Sequence, residues 1–334
     1  MEKVGVGLVG IGGIGRMHFD CWRKSAKGRV VAIASRDPRK RAGDWAGGEF
    51  NLGNQSSEKV DLTGVAAYET AAELIADPHV QIVDICTSTP QHAPLAIAAL
   101  RGGKHVICEK PMALSLQECR EVEEAVAASG KQLMVAHCLR YWPHYMKAKE
   151  MLASGEYGRA LYAQFYRSGG APTWSSGGWL MKPELSGGVL DMHIHDIDIA
   201  LWWFGRPASV STRGYTRDGV PMILDATWRY YEGPLVQMHG AWDPNGGAFR
   251  HAFRLIMEKA TLVYDLATAP TALHLYQGGA LTELPMEEVS AHQGELDDFA
   301  DCVASGRSFT RFSPQESSLA VEMGLEELRQ LASS

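Results

Sequence analysis

Short apolar runs alternate with stretches of helical period over the first 139 residues. Val4–Val9, Val30–Ala34, Gln81–Cys86, His105–Cys108 and Leu133–Ala136 are rich in β-branched residues and apolar on both faces, the pattern of strands covered from both sides. Gly64–Ala67 is a weaker run of the same kind. Between them, polar and apolar positions alternate at helical spacing. A helix after Gly15 packs Met17, Cys21 and Trp22. Another starts at Thr70, placed as its N-cap, and further helices span Ala93–Leu100 and Leu116–Ala128. Repeated strand–helix units predict a parallel, doubly wound α/β sheet. The polar, Gly-rich stretch 43–64 reads as an inserted loop.

The rhythm changes after Arg140-Tyr141-Trp142-Pro143. A helix over Tyr145–Ala153 leads into a strand over Ala160–Arg167. A Gly/Ser-rich loop carrying Trp174 and Trp179 follows. From Ala208 to Gln277 successive strands run with little helix between them, which predicts a mostly antiparallel sheet. Helices over Gly294–Ala304 and Gln315–Leu331 come last. The expected organisation is two domains, 1–139 and 140–334, the second an α+β domain with a large sheet.

Composition narrows the function classes. The 334 residues are 46% apolar and 21% charged, as in ordinary globular proteins. A net charge of -7 disfavours nucleic-acid binding, which needs clustered positive charge. No stretch approaches the ~20 apolar residues of a membrane span, and no signal-peptide pattern opens the chain. The six cysteines show no metal-ligand or disulfide spacing. A cytoplasmic location is expected.

The candidate chemistry lies in three places. The first strand runs into Gly10-Ile11-Gly12-Gly13-Ile14-Gly15, which fits G-x-G-x-x-G at Gly10, Gly12 and Gly15 and is followed by a helix. Glycines there allow a tight turn, close approach of a pyrophosphate and close helix–strand packing, so this stretch predicts a dinucleotide site. The second strand ends in Ser35-Arg36-Asp37-Pro38. Asp37 could meet a ribose, but Asp before Pro is also an ordinary helix start. Arg36 at the strand end, with Arg39, Lys40 and Arg41 crowding a helical first turn, favours a 2′-phosphate and hence NADP(H), with NAD(H) possible.

The fifth strand ends in Glu109-Lys110-Pro111, and proline stops the ladder there. Lys110 is thereby placed at the carboxyl edge of the sheet, where open α/β sheets bind ligands. The third place is Asp191-Met192-His193-Ile194-His195-Asp196-Ile197-Asp198. Asp191 and His195 are four apart and share a helix face. The histidine can accept a hydroxyl proton, and the carboxylate can orient it or bind the same substrate. The pair could equally satisfy local backbone. A metal site from His193, His195 and Asp198 is disfavoured because residues two apart diverge on a helix.

Together these features resemble the Gfo/Idh/MocA oxidoreductases, the group of glucose–fructose oxidoreductase and inositol dehydrogenase. The resemblance implies an N-terminal Rossmann domain and a C-terminal substrate and oligomerisation domain. It implies an enzyme that moves a hydride between a nicotinamide and a hydroxyl carbon of a sugar, anhydrosugar or cyclic polyol. It makes Lys110 the catalytic lysine, stabilising the developing alkoxide. His195 becomes the general base and Asp191 its polar partner. Glu109, Thr87, Pro90 and His92 would lie along the cofactor, and Arg140 and Tyr141 on the substrate side. The family's ribose-binding acid falls at Ser35, in line with NADP(H). Trp174 and Trp179 could stack on a sugar ring or serve as core anchors. A homodimer or homotetramer is implied. A glycoside-cleaving enzyme working through transient oxidation and a cofactor-sensing regulator remain as alternatives.

Overall fold

A computed structural model describes residues 3–45, 59–172 and 175–332. The chain forms two compact units. In the first, the strands are β1 (Val4–Val9), β2 (Gly28–Ala34), β3 (Ala66–Tyr68), β4 (Ile82–Ile85), β5 (His105–Cys108) and β6 (Leu133–Val135). All pair in parallel in the order β3-β2-β1-β4-β5-β6. The helices between them are α1 (Gly13–Lys24), α2 (Pro38–Arg41), α3 (Ala71–Ala76), α4 (His92–Arg101) and α5 (Leu116–Ser129). Every residue of β1 and β4 is buried, as the apolar run of β1 and Ile82, Val83 and Ile85 of β4 require, and β4 buries Asp84 with them. Thr70 caps α3 in a reciprocal capping box with Glu73, as its spacing predicts. Much of the polar stretch 43–64 lies outside the described residues.

The second unit holds α6 (Pro143–Ser154), β7 (Ala160–Gly170), α7 (Pro183–Ser186), α8 (Leu190–Phe204) and seven further strands. These are β8 (Ser209–Arg217), β9 (Val220–Arg229), β10 (Leu235–Asp243), β11 (Arg250–Met257), β12 (Thr261–Asp265), β13 (Ala272–Gln277) and β14 (Ala280–Pro285). With β7 they form one eight-stranded sheet, β14-β13-β12-β11-β7-β10-β9-β8. It is antiparallel except where β10 lies parallel to β7. The inner positions of β7, Ala163, Phe165 and Arg167, are buried and its Gln164 is exposed, the alternation of a sheet covered on one face.

The last helices are α9 (Ala291–Ser305) and α10 (Pro314–Ala332). Here the structure departs from a single division at 139/140. The first crossing comes after His137, and His292–Val321 returns to the first unit. Side chains explain the return. Asp297 accepts from Ser25, Asp301 pairs with Lys27 at 2.5 Å, and Ser318 bonds Glu123, while Leu296, Phe299 and Phe312 are buried. From Glu322 onward α10 belongs to the second unit. Among the described residues no helix is long and apolar enough to cross a membrane.

Candidate cofactor and active site

The turn after β1 shows why glycine recurs in it. Gly10 has φ +95°, and a Cβ there would lie 2.6 Å from the Cys86 carbonyl oxygen. A Cβ on Gly15 would lie 2.0 Å from the Gly10 oxygen. These two positions are closed by the protein's own backbone. Gly12 is exposed, and a Cβ there would meet nothing within 4 Å. Gly12 also caps α1, which has no capping side chain and no acid in its first turn, while Arg23 and Lys24 occupy its last. Open space over a helix N-terminus of positive macrodipole fits a pyrophosphate. Gly10, Gly12, Gly13, Ile14 and Gly15 would hold it.

At the end of β2, Asp37 acts as the helix start that its sequence context allowed. Its carboxylate accepts from the Arg39 amide at 2.9 Å and pairs with the Arg39 guanidinium at 3.0 Å. Lys40 donates to the Ile11 carbonyl, and Arg41 donates to the Ser35 carbonyl at 2.7 Å. The cationic turn is therefore compensated by Asp37 and main-chain oxygens without a phosphate. Ser35 is half-buried, with its Oγ accepting from the Asp37 amide at 3.2 Å. Arg36 is exposed.

The exits of β4 and β5 are tied together. Thr87 and Pro90 are half-buried on the β4 exit. His92 is buried, with one ring nitrogen 3.0 Å from the Thr87 carbonyl and the other 2.7 Å from the Pro111 carbonyl. It braces the two turns rather than facing outward. Lys110 is half-buried at the end of β5. Glu109 beside it is buried and accepts from the Lys110 amide at 3.2 Å through Oε2. Its other oxygen lies 3.2 Å from His18 Nε2. His18 Nδ1 in turn meets both carboxylate oxygens of Asp84 at 3.0 Å, and Trp22 donates to Asp84 at 2.8 Å. Burial alone would raise the Glu109 carboxyl, but the adjacent His18, with Lys110, holds it down to about 2. Burial disfavours the His18 cation, yet Asp84 raises this histidine well above its ordinary value.

The His18–Asp84 arrangement was not read from the sequence. Its signal was there: a lone carboxylate inside the buried run Ile82–Ile85, which needs a partner.

In the second unit, α8 carries the polar pair. From Leu190 to Leu201 every residue is buried except Asp191 and His195, one turn apart. The other polar residues of this stretch are committed elsewhere. Asp196 takes a two-bond grip from Arg167 on β7, both at 2.9 Å. Asp198 accepts from Arg140 at 2.8 and 2.9 Å. His193 meets Glu327 of α10 at 2.9 Å, and Glu327 also accepts from Trp228 at 2.7 Å. These contacts fix which way α8 turns, and Asp191 and His195 are left on the half-exposed side.

Arg140 is only 1% exposed, its guanidinium held by Asp198 and stacked over Trp202 at 5.7 Å. It supports α8 instead of offering a fork to a substrate. Tyr141 is buried beside it in the chain. Trp179 is half-buried in a 3-10 turn over Ser176–Met181. Trp174 lies outside the described residues.

Fold and site together define a dinucleotide-binding Rossmann unit joined to an α+β unit with a polar helix face. Residues 4–137 match the model of the oxidoreductase family, NAD-binding Rossmann fold, and 145–263 match the GFO/IDH/MocA C-terminal domain. The chain belongs to the GFO/IDH/MocA oxidoreductase family. Inositol 2-dehydrogenase of Rubrobacter xylanophilus is 34% identical over 60% of this chain and 52% of that protein. The scyllo-inositol 2-dehydrogenase (NAD(+)) of Bacillus subtilis is 26% identical over 92% of this chain and 88% of its own. The match spans about half the length of the first of these relatives. Levoglucosan dehydrogenase, solved with NADH and levoglucosan, has the same fold, with a TM-score of 0.85 at 21% identity, covering 99% of this chain and 98% of that one.

Proposed function

We propose that the protein is an NAD(P)-dependent dehydrogenase or reductase acting on a CH–OH group of a sugar, anhydrosugar or cyclic polyol. The observation that carries this reading is the exposure pattern of α8, where Asp191 and His195 alone escape burial in a twelve-residue stretch. The names of the family relatives support a polyol or sugar substrate.

The nicotinamide, when bound, accepts or supplies the hydride. The chain's residues manage the proton and the charge. His195 takes the hydroxyl proton as general base. Asp191 orients the imidazole and binds the hydroxyl. Lys110 sets a cation against the alkoxide as it forms, and in the reverse direction it polarises the carbonyl. Glu109, Thr87 and Pro90 border the cofactor, and His92 fixes the turns that carry them. NADP(H) is the favoured cofactor, supported by a serine at the strand end and the exposed Arg36. Six free, buried cysteines support a cytoplasmic location. A homodimer or homotetramer is proposed from the family resemblance.

The test is a panel of inositols, free sugars and anhydrosugars, assayed in both directions with NAD and NADP by nicotinamide absorbance. Lys110→Ala and His195→Ala are each expected to lower kcat by about 100-fold or more. Cofactor Kd should stay within about threefold in both. Near-normal turnover in either variant excludes the assignment. NADP should give the higher kcat/KM and lose that advantage in Arg36→Ala; an NAD preference unchanged in that variant overturns the cofactor choice.

A further inference from the structure

A buried set of ionisable groups lies in the first unit beneath the end of β5. Asp84 on β4 holds His18 on α1, His18 faces Glu109, and Glu109 accepts the Lys110 amide. His18 and Asp84 are fully buried, and Glu109 is 7% exposed. Further groups face this chain. Cys86, just past β4, lies 3.3 Å from His18, and Cys108 and His92 adjoin Glu109. From α9 come His292 and Glu295. Burial raises both thiols and the Glu295 carboxyl and lowers His292 to about 4, so these neighbours stay neutral. His18 and Glu109 remain as the opposed charges of the set, with Lys110 at its end.

We propose that His18 is a positioning residue that fixes the Glu109 side chain at the base of Lys110, with Asp84 and Trp22 holding His18 in place. This deepens the reading above, since it rests on Lys110 as the catalytic lysine. The geometry joins the helix that would receive the cofactor phosphates to the strand end that presents the lysine. A carboxylate this deeply buried would take up a proton if its cationic neighbour were lost. Lys110 would then stand beside a neutral group.

The test reads Lys110 itself and needs no substrate. Wild type, Glu109→Gln and His18→Gln are labelled with trace acetic anhydride from pH 6 to 9. The rate at Lys110 is measured by mass spectrometry relative to exposed Lys24. Thermal melting and NADH titration confirm that each variant is folded and binds cofactor. In Glu109→Gln the Lys110/Lys24 ratio is expected to rise about threefold or more at every pH, because the neighbouring anion is gone. In His18→Gln the rise is expected at the acid end and fades toward pH 9, following protonation of Glu109. Mere loosening of the strand end would raise the ratio equally across the range in His18→Gln, and that outcome overturns the proposal. So does an unchanged ratio in Glu109→Gln. The catalytic reading of Lys110 fails separately, by turnover in Lys110→Ala, so the two failures are distinguishable.

Discussion

Gly12 and Gly15 sit in one turn yet answer to different constraints. A Cβ on Gly15 collides with the Gly10 carbonyl at 2.0 Å, whereas one on Gly12 meets nothing within 4 Å. Gly12 also has φ -99°, a conformation open to any L-residue. Gly15→Ala should therefore damage the fold, lowering Tm by about 5 °C or more. Gly12→Ala should lower Tm by only about 1–3 °C, the cost of a poorer N-cap, while NADH Kd weakens by about tenfold or more. Melting curves and fluorescence titrations on the two variants separate these effects. Equal behaviour of the two would mean that the open space over Gly12 is not where the pyrophosphate lies. The glycine spacing was legible in the sequence because its cause is local. The His18–Asp84 pair was not, because its members are 66 residues apart and only the fold brings them together.

At the scale of elements, α8 shows how a helix is aimed. Its apolar stripe makes it a core helix, but a stripe alone tolerates some rotation about the axis. Arg167, Arg140 and Glu327 remove that freedom by gripping Asp196, Asp198 and His193. Arg140→Ala leaves the Asp198 carboxylate buried without its partner and should cost about 3–5 kcal/mol in urea unfolding. Arg140→Met combined with Asp198→Leu should recover much of that loss, because no charge is then stranded. A loss under about 1 kcal/mol in the single variant would contradict this role. The i, i+4 spacing of Asp191 and His195 could be read from sequence. The commitment of Arg140 to α8 could not, since an arginine before a helix carries no mark of its partner. Likewise, the strands beyond Ala208 were legible from their alternation. The parallel pairing of β10 with β7 was not, because periodicity gives a strand its faces and not its neighbours.

Across the whole molecule, buried histidines set the response to acid. Burial lowers His144 and His292 to about 4, and burial with Arg167 and His144 nearby drives His251 well below its ordinary value. Below about pH 6.5 the unfolded chain protonates these residues while the folded chain does not. Stability should therefore fall as pH drops from 6.5 toward 4. His18 and His193 are shifted upward, so their contribution is already complete below 6.5 and cannot offset the loss in that window. Tm is expected to fall by about 5 °C or more between pH 7 and 4.5, and less in His144→Phe. The Glu295 carboxyl, raised by burial, works in the opposite direction over this range, so the comparison between proteins decides: an equal fall in wild type and His144→Phe would rule out neutral burial of the His144 ring. The return of His292–Val321 to the first unit has a consequence in time. On the ribosome, the first unit's early portion ends at His137, but Phe299 and Phe312, which complete its core, emerge only after most of the second unit has been made. At 5–20 residues per second that delay is roughly 8–30 s. Throughout it the first unit lacks Phe299 and Phe312 from its core, so newborn chains should depend on a holding chaperone until α9 and α10 arrive.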